Sequence, residues 1–258
     1  MANISGKGGN VTKQVSGVDT IITGIREWSI TLNADQIDTT EFAVTAPTNH
    51  DYLIALKDWS ATISGNHTSV VPQLTVGTEY NFEFVVVPTA GSEVSYYGTA
   101  AVQSTAPAGS VTGEATINYT LTGVSKLYIL GANVVVDGGF TAASSAAWDV
   151  SDADVAYDTS NDQIDFSYVT NGEADLVPTS NDVITSAVVY YTQMKIENTV
   201  DNVSVTLKLG TAAGTARTAD GTYTQFITAN GTTFTVSGDV DSGDSVSLSE
   251  IVIRPVEN

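Results

Sequence analysis

Cysteine is absent from this chain of 258 residues, and histidine occurs only twice. That excludes disulfides, thiol nucleophiles, iron–sulfur clusters and Cys-ligated zinc. Basic residues are scarce, with 9 Lys and Arg against 29 Asp and Glu and a formal charge of −20. Contact with phosphates is favourable where Lys and Arg displace the counterions, so this balance argues against nucleic acid as an attractive partner. No run of about 18 apolar residues occurs, and the sequence predicts no membrane span. The opening Met1-Ala2-Asn3-Ile4-Ser5-Gly6-Lys7 lacks an apolar stretch, which predicts no secretory leader. What the chain does have is a hydrophobic fraction of 42%, too high for disorder and enough for a packed core. Its length fits one large or two modest domains.

Catalytic signatures are missing too. No Gly-x-Ser-x-Gly elbow occurs, and Gly6-Lys7-Gly8-Gly9 lacks the spacing of a phosphate-binding loop. That glycine-rich start reads as a flexible N-terminal arm that orders on assembly. His50 and His67 have no Cys to activate, and with 29 carboxylates acidic pairs alone say nothing about glycoside hydrolysis. The reading is a protein that is not an enzyme.

Thr, Val, Ser, Ala and Gly dominate, and alternation of period two recurs along the chain. Arg26, Trp28, Ile30 and Leu32 oppose Glu27, Ser29 and Thr31. Tyr80, Phe82 and Phe84 oppose Glu79, Asn81 and Glu83. Ala115, Ile117, Tyr119 and Leu121 oppose Glu114, Thr116, Asn118 and Thr120. Such segments are strands with one face on a core and one face wet. One short helix is expected at about His50–Leu56, capped by Thr48 or Asn49 and carrying Leu53 and Leu56 as an apolar stripe. Val94–Ser104 returns after a turn at Pro88–Ser92. A boundary is expected near residues 126–137, dividing the chain into 1–129, net −6, and 130–258, net −14. The second block has short strands such as Val203–Leu209, Tyr223–Thr228, Thr232–Val236 and Val246–Ile253, which predict a second β-sandwich, jelly-roll or immunoglobulin-like. The fold class is therefore all-β with one short helix.

Three segments of the first block carry a resemblance. They are Gly24-Ile25-Arg26-Glu27-Trp28-Ser29-Ile30-Thr31-Leu32, Ile37-Asp38-Thr39-Thr40-Glu41-Phe42, and Leu56-Lys57-Asp58-Trp59-Ser60-Ala61-Thr62-Ile63-Ser64-Gly65-Asn66. In their order and their Asp-Trp-Ser…Gly-Asn element they resemble the major tail tube proteins of long-tailed bacteriophages, across about half the chain. One departure is Ala43-Val44-Thr45-Ala46-Pro47, where such proteins often carry more glycine. The resemblance implies a structural virion protein, made in the host cytoplasm, whose hexameric rings stack into a tube that conducts genomic DNA. The implied partners are the chain itself, a tape measure protein, and tail terminator and baseplate proteins. DNA would pass without specific binding.

A tube of that kind needs strand edges completed by neighbours and a lumen that does not grip phosphate. The lumen candidates are Glu27, Ser29, Thr31, Glu114, Thr116, Asn118 and Thr120; the plainer alternative is an ordinary solvent-facing strand surface. Trp28 and Trp59 are core residues or subunit contacts. The Pro88–Ser92 hairpin either reaches the next ring or is a plain exposed turn.

In the second block, Asp137-Gly138-Gly139-Phe140…Trp148-Asp149-Val150, Tyr190–Lys195, Asp220–Tyr223 and Val246–Arg254 look like a carbohydrate-binding-module jelly roll of the galactose-binding-like kind. This implies a decoration domain outside the tube that contacts host glycans. Trp148, Tyr157, Tyr168 and Tyr223 are the rings available for sugar stacking, with core packing as the alternative for each. That family often carries a structural calcium. Asp149, Asp152 and Asp154, or Asp239, Asp241 and Asp244, are spaced for oxygen ligation, but neither run completes an EF-hand loop, and a solvated acidic turn is the plainer reading. A free-standing carbohydrate-binding protein is the rival function, and a glycan-active enzyme a third.

Overall fold

The computed structural model describes residues 2–7, 10–15, 18–38, 52–67, 72–86, 94–109, 113–135, 138–140, 147–168, 173–179 and 184–257. The fold is all-β. By internal packing the chain divides into two compact units, one of residues 1–15 and 19–129, the other of 16–18 and 130–258.

The first unit carries β1 (Ala2–Lys7), β2 (Val11–Val15), β3 (Val18–Ile21), β4 (Ile25–Asp38), β5 (Tyr52–Asn66), β6 (Glu79–Val86), β7 (Val94–Ala108) and β8 (Thr116–Gly123). They pair in the order β1-β4-β5-β8-β7-β6-β2-β3. Among the described strands this sheet does not close into a barrel, so β1 and β3 each have one unpaired side. Gly24, at φ +82°, makes the turn into β4, in a region where a side chain would strain the backbone. β4 and β5, 14 and 15 residues long, run antiparallel with Trp28 opposite Ile63 and Leu32 opposite Trp59.

Alternation decides what each strand buries. Along β8, Ile117, Tyr119 and Leu121 are buried while Asn118, Thr120 and Thr122 are exposed. Trp28, Ile30, Ile63, Phe82, Phe84 and Val102 meet these residues in one core. The Trp28 ring centroid lies 5.4 Å from that of Phe84, so the β4 face packs on the β6 face. Each large side chain buried in this way contributes roughly 1.5–3 kcal/mol.

Two expectations fail in this unit. Tyr52–Leu56, expected as the body of a short helix, belong to β5, while His50 and Asp51 lie outside the described residues. Asp38, Ile37 and Gln36 of β4 pair with Tyr52, Leu53 and Ile54, so a strand partner satisfies the backbone groups that a helix would have satisfied locally. Of the Gly6–Gly9 stretch, expected as a flexible arm, Gly6 and Lys7 end β1 (Ala2–Lys7), which pairs with β4 from Ala2 opposite Leu32 to Lys7 opposite Glu27, while Gly8 and Gly9 lie outside the described residues. The Pro88–Ser92 turn lies outside the described residues.

β9 (Tyr128–Leu130) spans the division, and β10 (Trp148–Asp149), β11 (Val155–Asp158), β12 (Gln163–Ser167), β13 (Glu173–Pro178), β14 (Val189–Val200), β15 (Val203–Leu209), β16 (Ala212–Ala213), β17 (Gly221–Thr228), β18 (Phe234–Val240) and β19 (Ser245–Glu257) follow. In the second unit, β11-β12-β19-β14-β17 form one antiparallel layer and β10-β13-β18-β15-β16 another. Phe140, Trp148, Phe166, Leu176, Leu207, Phe234, Leu248 and Ile251 fill the core between them. Close packing reaches the backbone itself, since a Cβ at Gly238 would stand 2.4 Å from the Phe166 ring.

Candidate functional site: a polar three-strand face

The residues singled out in the first unit lie on neighbouring strands of one sheet, except Glu114, which stands two residues before β8. The register sets Ser29 opposite Thr62 and Thr62 opposite Thr120; the rows on either side are Glu27–Ser64–Asn118 and Thr31–Ser60–Thr122. Buried Trp28, Ile30, Ala61, Ile63, Tyr119 and Leu121 take the opposite parity, so these polar side chains share the face turned away from the core. Glu27, Glu114, Asn118 and Thr120 are exposed, and Ser29, Thr31 and Thr116 are half-buried.

Hydrogen bonds tie the rows together. The hydroxyls of Ser29 and Thr62 lie 2.7 Å apart, and Ser64 Oγ donates to Glu27 Oε1 at 3.0 Å. Past an irregularity between Val102 and Ser104, β7 continues the surface with Ser104, Ala106 and Ala108 opposite Thr120, Asn118 and Thr116. The face is thus mostly neutral hydroxyls and small side chains, with carboxylates at Glu27, Asp58 and Glu114.

The β5 row of Asp58, Ser60, Thr62 and Ser64, and Thr122 on β8, was not singled out from sequence. Its signal was present in the alternation through Trp59, Ala61 and Ile63. Arg26 departs from its expected side: it is the extra residue of a β-bulge, stands exposed, and pairs with Glu114.

Trp28 and Trp59 are 1% and 4% exposed and lie in the core of this unit. Trp59 Nε1 donates to the Ser125 carbonyl at 2.7 Å, and its ring meets Phe84 edge-on with centroids 6.4 Å apart. Burial raises the pKa of Tyr119, whose hydroxyl accepts the Gln73 backbone N–H at 3.1 Å.

In the second unit the four aromatic candidates do not converge. Trp148, 3% exposed, packs between Phe140 and Phe234 at centroid distances of 5.2 and 5.8 Å, so its ring is closed to a sugar. Half-buried Tyr157 donates its hydroxyl to the Phe140 carbonyl. Exposed Tyr168 follows β12. Tyr223 lies on β17, separated from β12 by β19 and β14 in the layer, under the Arg217 guanidinium with its hydroxyl on the Ala219 carbonyl. A cleft of about 480 Å³ on β13, β18 and β15 is lined by Asp175, Ser204, Thr206, Lys208, Ser237 and Asp239, among others, and by no aromatic ring.

The first acidic run forms local turns, whereas Asp239 of the second lies in β18. Asp149 and Asp152 accept the backbone N–H of Ser151 and Asp154, each at 3.0 Å. The hydroxyl and N–H of Ser151 hold the Asp149 carboxyl below its usual pKa. Asp244 accepts Asn202 N–H at 3.1 Å. Among the described residues, no three His, Cys, Asp or Glu side chains are grouped to hold a metal ion.

No family model matches the chain, and neither does any curated protein. Solved structures do. A chain of the virion of a native gene transfer agent particle matches at 19% identity and TM-score 0.36, over 46% of this chain and 92% of its own length. A chain from the tail of an empty gene transfer agent particle, described with C6 symmetry, matches at 22% identity and TM-score 0.35 over the same shares. The Dit protein of SPP1, a hub of the adsorption apparatus in phages infecting Gram-positive hosts, matches at 9% identity and TM-score 0.26 over 96% of this chain and 99% of its own.

Proposed function

We propose that this chain is a structural component of a phage-type tail, with its first unit as the ring-forming tube subunit and its second as an outer decoration. The observation that carries the reading is the continuous Ser, Thr, Asn and Glu face over β4, β5 and β8, on a sheet that leaves β1 and β3 each with one unpaired side. An unpaired edge with its row of free N–H and C=O groups is completed when a neighbouring copy adds a strand. The polar face then becomes a lumen lining whose hydroxyls and carboxylates offer a polyanion no counterion-releasing contact, so DNA slides past. Hexameric rings that stack give the conduit its length.

The second unit, net −14, suits a solvated and mutually repelling shell around such a tube. Contact with host glycans is the finer role for it, with Tyr168 as the exposed ring and Tyr223 half-buried beneath Arg217. The rival, a free-standing carbohydrate-binding protein, needs no ring. Negative-stain microscopy of the purified chain separates the two. Rings or hollow tubes, persisting when residues 134–258 are deleted, support the proposal, and a chain that stays monomeric at high concentration refutes it.

A further inference from the structure

A β-bulge turns one basic side chain onto the polar face. The β4–β5 register runs Ile25 opposite Gly65 and then Glu27 opposite Ser64, leaving Arg26 as the extra residue. Simple alternation would send Arg26 to the side of Trp28 and Ile30, which is buried. Instead its side chain is 57% exposed, and its guanidinium meets the carboxylate of Glu114, itself 64% exposed. Glu114 stands two residues before β8, next to Ala115, whose carbonyl accepts the His67 N–H at 2.8 Å and so carries the β5–β8 pairing up to it.

An ion pair this open to water adds little to folding. What it changes is the charge that the face presents. Lys13, another basic side chain described in this unit, donates to the Gln73 carbonyl, and Lys126 lies over the Tyr128 ring. Lys7 of β1 is set opposite Glu27 by the backbone register; Arg26 is the cation of this face whose side chain meets Glu114, which cancels its charge.

We infer that Glu114 is a charge mask, occupying the Arg26 guanidinium so that it cannot take a backbone phosphate. The inference rests on the reading that this face meets DNA. A free guanidinium binds phosphate with a two-pronged fork, which makes it the group most able to stall a passing duplex. One added phosphate contact strengthens duplex binding on the order of tenfold between about 1 M and about 50 mM salt. Repetition along an array would multiply that.

The test uses full-length chain, biotinylated at its C-terminus and packed densely on streptavidin beads. A fluorescent DNA duplex of about 40 base pairs is offered across that salt range. Glu114→Gln should retain on the order of tenfold more duplex than the parent at low salt, with a steeper salt dependence. Glu27→Gln/Glu114→Gln should retain at least as much, because Glu27 is the adjacent acceptor that could take over Arg26. Arg26→Gln/Glu114→Gln should fall back to the parent. Glu79→Gln, which removes one negative charge at an exposed position on β6, should match the parent. Retention by neither Glu114 variant, a gain that persists without Arg26, or an equal gain in Glu79→Gln would overturn the inference. Absence of rings under the microscope would remove the assembly reading separately, since the bead measurement needs no tube.

Discussion

Replacing Gly123 by Ala probes a tight contact in the first core. A Cβ at this position would stand 2.2 Å from Trp59 Nε1, 2.3 Å from Cε2 and 2.5 Å from Cδ1, far inside contact distance. Gly98 lies under the far part of the ring, where a Cβ would stand 2.9 Å from Trp59 Cζ2. The indole therefore lies in a slot over two side-chain-free positions on the neighbouring strands β8 and β7, and a Cβ at either would push it off the sheet. Overpacking of this kind costs about 1–3 kcal/mol, and displacing the Trp59–Ser125 hydrogen bond adds about 1 kcal/mol. The better strand propensity of Ala returns about 0.5–1 kcal/mol. The expected net loss is about 2 kcal/mol, or a urea midpoint lower by about 1 M at a slope of about 2 kcal/mol/M. Urea unfolding of the full chain followed by tryptophan fluorescence measures it. Trp59→Ala removes the atoms that clash, so Gly123→Ala in that background should cost less than half as much, a coupling that a double-mutant cycle reads directly. A Gly123→Ala chain as stable as the parent, or one equally destabilised with and without Trp59, would refute the slot.

Two further outcomes follow from the second unit. Trp148→Ala should cost about 3–5 kcal/mol by leaving a cavity between Phe140 and Phe234, whereas Tyr168→Ala on the surface should change stability by less than about 0.5 kcal/mol; calorimetry of the two variants checks this. The acid side of the stability curve should fall with pH partly through two carboxylates of this unit. Thr199, whose backbone N–H donates to Asp220 Oδ1 at 2.8 Å, lowers the pKa of Asp220, and Ser160 N–H with the Asn161 amide lowers that of Asp158. A depressed folded-state value gives stability that is present above the unfolded carboxylate range, near pH 4, and is lost as pH falls through the folded value. Asp220→Asn should therefore shrink the stability difference between about pH 6 and about pH 3, read from thermal melts at each pH.

Much of the strand pattern was open to reading residue by residue. Val203–Leu209 alternates buried and half-buried along its whole length, and Phe82 and Phe84 are both buried. Alternation reports a physical fact local to each strand, namely which side chains would lose free energy by facing water. Other features had no local signal. Leu53 and Leu56 have the spacing of a helical stripe, yet a partner strand 14 or more residues upstream claims the backbone. Trp148 opens a stretch that looks like a sugar-binding start, yet it is enclosed by Phe140 and Phe234, the latter from a strand of the opposite end of the unit's sequence.

For the candidate face, the chain's own order of residues determined which positions on each strand are wet and which are oily, because a side chain's hydration is a property of that side chain. Only the tertiary structure decided which wet edges lie side by side, since pairing depends on partners distant in the chain: Ser29 meets Thr62, 33 residues away. It also decided that Arg26 leaves the buried side and faces Glu114, 88 residues on, because one extra residue in β4 reverses a parity that composition leaves intact.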